Sequence, residues 1–408
     1  MGFTPALWIG FTVESDMNCE YVKENPEIVL ADEKAWCGRY FFDLSHPKYL
    51  NEFLPKAFSK VKEWGYDVIK FDTVTNGKII NEKYHNLCYN PKLTSRDVQR
   101  NLAKVARREL GDDCYMLACC ANNKADVLWT ADLYESARVG CDIFDWNEFI
   151  TNGVMKVLWF YPLHSNVFFV DCDNLVLRYK YNDFTQAASR VNFVSMLGLP
   201  ITFGDEFEAL DKSRIDYIKK SLPVLDIHPC DINPKVKFGE ILKMNLAIER
   251  EYESYNVVNV FNISGKKGSF YVNFENDLNV DLGEYLVYNF TKDKFEGIMT
   301  EGFDVNLDVN ESCIFSVRKL EKRPQIVSTS RHISQGAAEV SGMTWENNEL
   351  TITADLIGGA EYTVTLYVPE GYTPCDDLLS VGGGIYKKTI VSDTDKKQTL
   401  SFNFKGKK

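Results

Sequence analysis

The chain has 408 residues, 45% apolar and 13% aromatic, enough to bury a sizeable core and to divide into two or three domains. Its formal net charge of -12 includes no basic block, and no apolar stretch reaches the roughly 20 residues of a membrane helix, so neither nucleic acid nor membrane is expected as a partner. The eleven cysteines form no CxxC pair, HExxH is absent, and the five histidines are scattered; no metal and no cofactor is expected, and carboxylates are the abundant reactive groups.

From Ala6 to Asp205 short apolar runs alternate with longer amphipathic stretches, the pattern of parallel strands joined by crossover helices. Six strands are predicted, over 6–11, 68–71, 115–119, 133–138, 166–170 and 200–203. Between the first two, Leu50, Phe53, Leu54, Ala57, Phe58, Val61 and Trp64 recur at spacings of three and four and mark a helical face ending at Gly65. Pro55 either puts the true start near Leu54 or kinks the helix. A second helix, over 95–110, has Thr94 or Ser95 as cap and Gly111 beyond its end, and a third spans 184–197 before Gly198.

After about Ser254 the period changes to two, with strands over 255–262, 269–274, 285–290, 303–309 and 313–317 forming an antiparallel domain. Residues 264–268 fit a hairpin connection within it. The charged, proline-bearing stretch 320–324 reads as a linker to a further β module with strands near 349–354, 362–368 and 399–404. Gly382-Gly383-Gly384 lacks the Lys-Ser/Thr and helix of a phosphate loop and reads as a turn. The expected domains are 1–235, 236–320 and 321–408. Residues 1–11 lack the charged start and long apolar run of a signal peptide; the compartment stays open.

In a parallel α/β barrel the loops at the carboxyl ends of the strands build the active site. Asp72 lies at such a tip, with Lys70 on the same face by the period of two. The Lys70 ammonium would hold Asp72 ionised, as suits a nucleophile; a structural ion pair or helix cap is the competing explanation. Arg138 ends the fourth strand with a fork of donors suited to sugar hydroxyls. The small-residue loop beyond it delivers Asp142, able to supply or remove a proton, or else to cap the next helix. Retaining glycoside hydrolysis needs two carboxyl groups about 5 to 5.5 Å apart, and Asp72 and Asp142 fit that need as tips of different strands facing one cavity. Asp171, Asp173 and Asp205 follow further strands, so four strand ends offer acidic groups to one mouth. Of Trp8, Trp64, Trp129, Trp146 and Trp159, most are expected in the core, with Trp8 inside the first strand and Trp146 nearest a sugar subsite.

Three strings, Leu7-Trp8-Ile9-Gly10-Phe11, Asn25-Pro26 ahead of 28–32, and Phe42-Asp43-Leu44-Ser45-His46-Pro47, resemble consecutive motifs of glycoside hydrolase family 36, the melibiase or α-galactosidase group, and of its relative family 27. Lys70-Phe71-Asp72 matches the Lys-x-Asp motif that bears the family's nucleophile. Arg138 to Asp142 is similar to the Arg-x-x-x-Asp motif that bears its acid/base. Asp171-Cys172-Asp173 resembles the Asp-Pro-Asp after the seventh strand, and Gly204-Asp205 the eighth-strand exit. The likeness runs in motif order over residues 6–320.

The resemblance implies a (β/α)8 TIM-type barrel followed by a C-terminal antiparallel β-sandwich. It implies release of terminal α-linked galactose with retention and without a metal: Asp72 and Asp142 are catalytic, and Lys70, Arg138, Cys119, Asp171, Asp173 and Trp8 bind substrate, an α-galactoside or related oligosaccharide. Two departures stand out. The family's barrel begins two strands earlier, with an acidic, Trp-containing stretch, so an N-terminally incomplete barrel of about six strands is expected here. The segment Cys119-Cys120-Ala121-Asn122-Asn123, where the families vary the pocket that reads the sugar's 2-position, matches no subtype, which leaves galactose, N-acetylgalactosamine and arabinopyranose open. A galactosyl transglycosylase of the same lineage and an inactive, truncated carbohydrate-binding relative are the alternatives.

Overall fold

The computed structural model of the chain describes residues 2–16, 18–119, 126–229 and 241–406. The fold divides into two compact units, residues 1–143 with 151–173, and residues 144–150 with 174–408. The domain boundary expected at 235, and residues 120–123 of the pocket segment, lie outside the described residues.

The first unit is built on strands β1 (Ala6–Gly10), β2 (Val13–Glu14), β3 (Val29–Ala35), β4 (Gly38–Phe42), β5 (Val68–Asp72), β6 (Tyr115–Ala118), β7 (Ser136–Arg138) and β8 (Phe169–Asp171). Five of them form a parallel sheet in the order β1-β5-β6-β7-β8, while β2, β4 and β3 make a small antiparallel sheet that the sequence reading did not anticipate. Helices α1 (Leu54–Glu63), α2 (Val74–Lys83) and α3 (Ser95–Leu110) lie between successive parallel strands along the chain, as a parallel ladder demands.

Local chemistry explains the helix bounds. Pro55 stands in the first turn of α1, directly after a π-helical turn, Tyr49–Phe53, whose wider winding accommodates a residue with no N–H to donate. Thr94 caps α3 in a reciprocal box: its Oγ1 accepts from Asp97 N at 3.2 Å, and the Asp97 carboxylate accepts from Thr94 N at 2.8 Å, a device worth about 1 kcal/mol. Gly111, with φ of 91°, follows the last turn.

Alternation gives the parallel sheet two unlike faces. Ile69, Phe71, Met116, Ala118, Ala137 and Val170 are buried on one of them, where Phe58 of α1 packs 5.9 Å from Phe71 and 4.5 Å from Phe11. The opposite face carries Trp8, Lys70, Leu117, Ser136 and Phe169 in one register row. Trp8 is 59% and Phe169 44% exposed on it, so among the described residues the sheet is open rather than a closed barrel. The sixth expected strand is reduced to one parallel bridge from Thr202 to Asn174. Pro200 offers no ladder donor and Gly204 follows at once, which leaves too short a run to pair.

The second unit holds helices α4 (Phe184–Met196) and α5 (Lys212–Lys219) and two β modules. In the first module β9 (Ile241–Glu249), β10 (Ser254–Asn262), β11 (Gly268–Asn273), β12 (Tyr285–Asn289), β13 (Lys294–Met299), β14 (Gly302–Leu307) and β15 (Ser312–Lys319) make a five-stranded sheet β13-β12-β15-β10-β9 and a pair β11-β14. The core between them draws Val258, Val260, Phe315 and Val317 from the larger sheet and Val272, Phe303 and Val305 from the pair, the interdigitation of a sandwich. Residues 264–268 do not close a hairpin, because β10 and β11 belong to different sheets. The link turns over at Gly265, φ 73°, with Asn262 Oδ1 accepting from Ser264 N at 3.0 Å.

In the second module β16 (Gln325–Thr329), β17 (Val340–Glu346), β18 (Glu349–Leu356), β19 (Glu361–Tyr367), β20 (Tyr372–Pro374), β21 (Leu379–Gly382), β22 (Ile385–Val391) and β23 (Lys396–Gly406) form two four-stranded sheets, β16-β19-β22-β21 and β17-β18-β23-β20. No helix among the described residues is long and apolar enough to cross a membrane.

Candidate active site

The carboxyl ends of the parallel strands line up polar groups. Gly10 pairs with Asp72 and Arg138 with Asp171; between them Cys119, just past β6, donates its N–H to Phe71 O at 2.9 Å. One row at the strand tips therefore carries Gly10, Asp72, Cys119, Arg138 and Asp171.

Both Asp72 oxygens are engaged. Oδ2 accepts the Trp8 indole N–H at 3.1 Å, and Oδ1 accepts Thr73 N at 2.6 Å, which fixes the plane of the carboxylate. Thr73 pays for this with a left-handed backbone, φ 61° and ψ -2°, rare for a β-branched residue. The buried Thr12 holds it there, its Oγ1 donating to Thr73 O at 2.7 Å and lying 2.9 Å from Thr73 Oγ1. Asp173 is left-handed too, φ 71°. Backbone strain of about 1 to 3 kcal/mol per residue collects at functional sites, and here it follows two of the strand tips.

The second cluster surrounds Arg138. Its guanidinium meets Asp142 at 2.7 Å and Asp173 at 3.4 Å. Burial works against the Arg138 charge, but Cys119, Asp173, Asp142 and Asp171 outweigh it and raise the pKa above the ordinary arginine value. Asp173 Oδ2 also accepts Ile143 N at 2.9 Å, so this carboxylate ties down the loop that carries Asp142. Asp171 is buried, accepts Asp173 N at 2.7 Å, and has its carboxyl pKa raised chiefly by that burial. Asp142 itself leaves 66% of its side chain to solvent. It does not cap the following helix, whose cap is Asp145.

Gly140 is what lets this loop pack. A Cβ there would lie 1.9 Å from Asn152 O, so only glycine admits so close a backbone.

The sequence-derived candidates thus fall into two groups, Trp8 with Asp72, and Arg138 with Asp142, Asp171 and Asp173. Lys70 differs from expectation. Among the described residues no ion pair joins it to Asp72, whose donors are Trp8 and Thr73; the charge of Lys70 favours the ionised forms of Asp171 and Cys119. Cys119 is only 5% exposed and its thiol is pushed up to about 12 by burial, which makes it a wall rather than a reactive group. The Asp205 side chain is 2% exposed, accepting Leu177 N at 2.5 Å and pairing with Arg178 at 3.1 Å. Trp146, expected at a subsite, packs 5.3 Å from Phe149 and 6.0 Å from Phe261. Trp8, Trp64, Trp129 and Trp159, expected mostly in the core, are exposed.

Sequence reasoning missed Thr73, Gly140 and Cys37. Cys37, in the turn between β3 and β4, has its thiol pKa raised by burial and further by the charge of Asp72. Its nearness to Asp72 has no local signal. Among the described residues no cluster of His, Cys, Asp and Glu is arranged to hold a metal ion.

No family model and no curated protein matches the chain. Among solved structures it is similar to a family GH27 β-L-arabinopyranosidase from Geobacillus stearothermophilus, at 14% identity over 79% of this chain and 75% of that one, with a TM-score of 0.59. A variant of that enzyme in complex with arabinose gives 15% identity, 78% and 75% coverage and a TM-score of 0.61. The chain is also similar to α-galactosidase I from Mortierella vinacea, at 10% identity over 78% of this chain and 77% of that one, with a TM-score of 0.52. At such identities the likeness establishes the fold, which is of the GH27 and α-galactosidase type.

Proposed function

We propose that the chain is a retaining glycoside hydrolase that releases a terminal α-linked galactosyl group, or a close stereochemical relative such as arabinopyranosyl, by double displacement. The observation that carries this reading is the pair of carboxylates at the same end of one parallel sheet, one held rigid and one left open. Asp72 is oriented by Trp8 and Thr73, while Asp142 is exposed and tethered to Arg138.

In the first step an Asp72 oxygen forms a bond to the anomeric carbon as the bond to the leaving oxygen breaks, and Asp142 gives that oxygen its proton. In the second step Asp142 takes a proton from water, whose oxygen displaces Asp72 and restores the free carboxylate. Lys70 and the outer edge of Arg138 supply donors for sugar hydroxyls. Arg138 also holds positive charge beside Asp142 throughout the cycle.

The experiment is hydrolysis of 4-nitrophenyl α-galactoside and 4-nitrophenyl β-L-arabinopyranoside, beside Asp72→Asn and Asp142→Asn, with the product anomer followed by NMR. Turnover with retention, lost in both variants, supports the reading. Turnover that survives Asp72→Asn sinks it. The exposed Trp8 and Phe169 face favours one second reading, a chain that binds sugar without cleaving it; saturable sugar binding with no turnover is its signature.

A further inference from the structure

The second β module bears a hollow of about 740 Å³ that the hydrolytic reading does not use. Hydroxyl-bearing residues of β16, β19, β21 and β22, with Ser330 just past β16, line it, and the Thr363 and Thr389 hydroxyls lie 2.8 Å apart. Two smaller hollows, of about 360 and 460 Å³, adjoin it, the first sharing Asp377, Leu378 and Lys388, the second sharing Asp293 and Lys387. The combined space exceeds one sugar ring and follows β22.

Three lysines line the main hollow, and their partners differ. Lys387 pairs with Asp293 at 2.7 Å, and Lys388 donates to Asp377 O at 2.9 Å. Lys220, at the end of α5, is half-buried, and among the described residues no carboxylate lies within ion-pair distance of it. Its ammonium stands 5.0 Å from the Phe290 ring and 5.8 Å from that of Tyr217. The backbone beneath it is pinned, Lys220 O accepting from Ile333 N at 2.9 Å. Asp293 and Asp216 act on this ammonium only from beyond contact distance, and a partly desolvated cation with no carboxylate touching it is costly. The lining carries three cations against two carboxylates, on a chain whose net charge is -12, so the positive sign is a local feature.

We propose that this hollow binds an acidic glycan, a short run of sugar rings bearing carboxylate or sulfate groups, with one anionic group seated on Lys220, ring hydroxyls on the Ser and Thr side chains, and a ring face against Phe290. Hydroxyls that exchange hydrogen bonds with a polyol suit a sugar chain better than a bare anion. The hollow shares no lining residue with the cluster around Asp72 and Asp142, and the proposal does not rest on the hydrolytic reading.

The test is calorimetric titration of the full chain with trigalacturonate, a sulfated galactan oligosaccharide, neutral galactotriose and sodium sulfate. At least one acidic oligosaccharide is expected to bind at least about tenfold more tightly than the neutral one, and the tighter of the two identifies the charged group. Lys220→Met should weaken that binding about tenfold or more, and Lys220→Arg should retain it. Thr389→Glu, at an exposed position, should also abolish it, and serves if Lys220→Met does not fold. Equal binding of galactotriose, binding indifferent to Thr389→Glu, sulfate competing as strongly as the oligosaccharides, or no binding at millimolar ligand would each overturn the proposal.

Discussion

Trp8 and Asp72 are joined by a hydrogen bond between side chains 64 residues apart, the indole N–H donating to Oδ2 at 3.1 Å. Parallel pairing sets Trp8 opposite Lys70 and Gly10 opposite Asp72, so the indole reaches one step along the sheet toward the strand tip. A Cβ on Gly10 would come within 2.9 Å of the Thr73 side chain, so glycine is needed where β1 passes the strained residue. A bulky donor and a missing side chain, two residues apart on one strand, together shape the surroundings of the nucleophile candidate.

Trp8→Phe keeps a ring and removes the donor. The expected result is a fall in kcat of about tenfold to a hundredfold on an activated aryl glycoside, since one preorganised bond to the attacking carboxylate is lost. Because Trp8 is exposed, the midpoint of thermal unfolding should hardly move. An unchanged kcat would remove Trp8 from the site.

This bond also marks how far the sequence is legible. Asp72, Arg138, Asp142 and Asp173 are accessible to reading because each stands at or just beyond the end of an apolar run, and strand tips are where barrel chemistry lies. Helix α3 is equally local, with a cap, a buried face and a terminal glycine all within 18 residues. The donor to Asp72 is not local. Lys70 shares its strand and face, so it is the natural guess, whereas Trp8 wins through a register between β1 and β5 that no short window contains. Strand β13 escaped because its half-exposed pattern lacks alternation, and the packing of Trp146 on Phe149 and Phe261 depends on tertiary contacts that no short window contains.

Asp173 separates two functions by substitution. Asp173→Asn retains an acceptor for Ile143 N but loses the charge facing Arg138, whereas Asp173→Ala loses both. Activity should fall about tenfold in the first and about a hundredfold in the second, as expected when a catalytic group is displaced by about 1 Å. KM measured beside kcat distinguishes this from direct substrate binding, which would raise KM at little cost in kcat.

Gly140→Ala tests the packing that carries Asp142. The new methyl would overlap Asn152 O, 1.9 Å from the ideal Cβ, and neither backbone can yield without moving the loop. A loss of about 2 kcal/mol or more is expected, within the usual range for overpacking, together with reduced turnover because Asp142 lies two residues on. Chemical denaturation and the aryl glycoside assay read the two effects separately; full stability in the variant would refute the contact.

Glu339 should make the second unit sensitive to pH. Its carboxyl is buried and its pKa is pushed up by burial from 4.5 to about 7, against the lowering influence of the Thr329 hydroxyl, Arg331 and Arg318. Oε1 accepts the Thr329 hydroxyl at 2.5 Å, while Oε2 is buried with no hydrogen-bond partner among the described residues. An acid whose pKa is higher folded than unfolded favours the fold when protonated. Its contribution is therefore complete below pH 4.5 and is lost as pH rises through about 7, a difference of at most about 3 kcal/mol. Glu339→Gln keeps the shape and removes the proton equilibrium, so it should stabilise the chain at pH 8 relative to the parent and leave it little changed at pH 5. Unfolding midpoints at the two pH values measure this directly, and a Gln variant with the parent's full pH dependence would place the titrating group elsewhere.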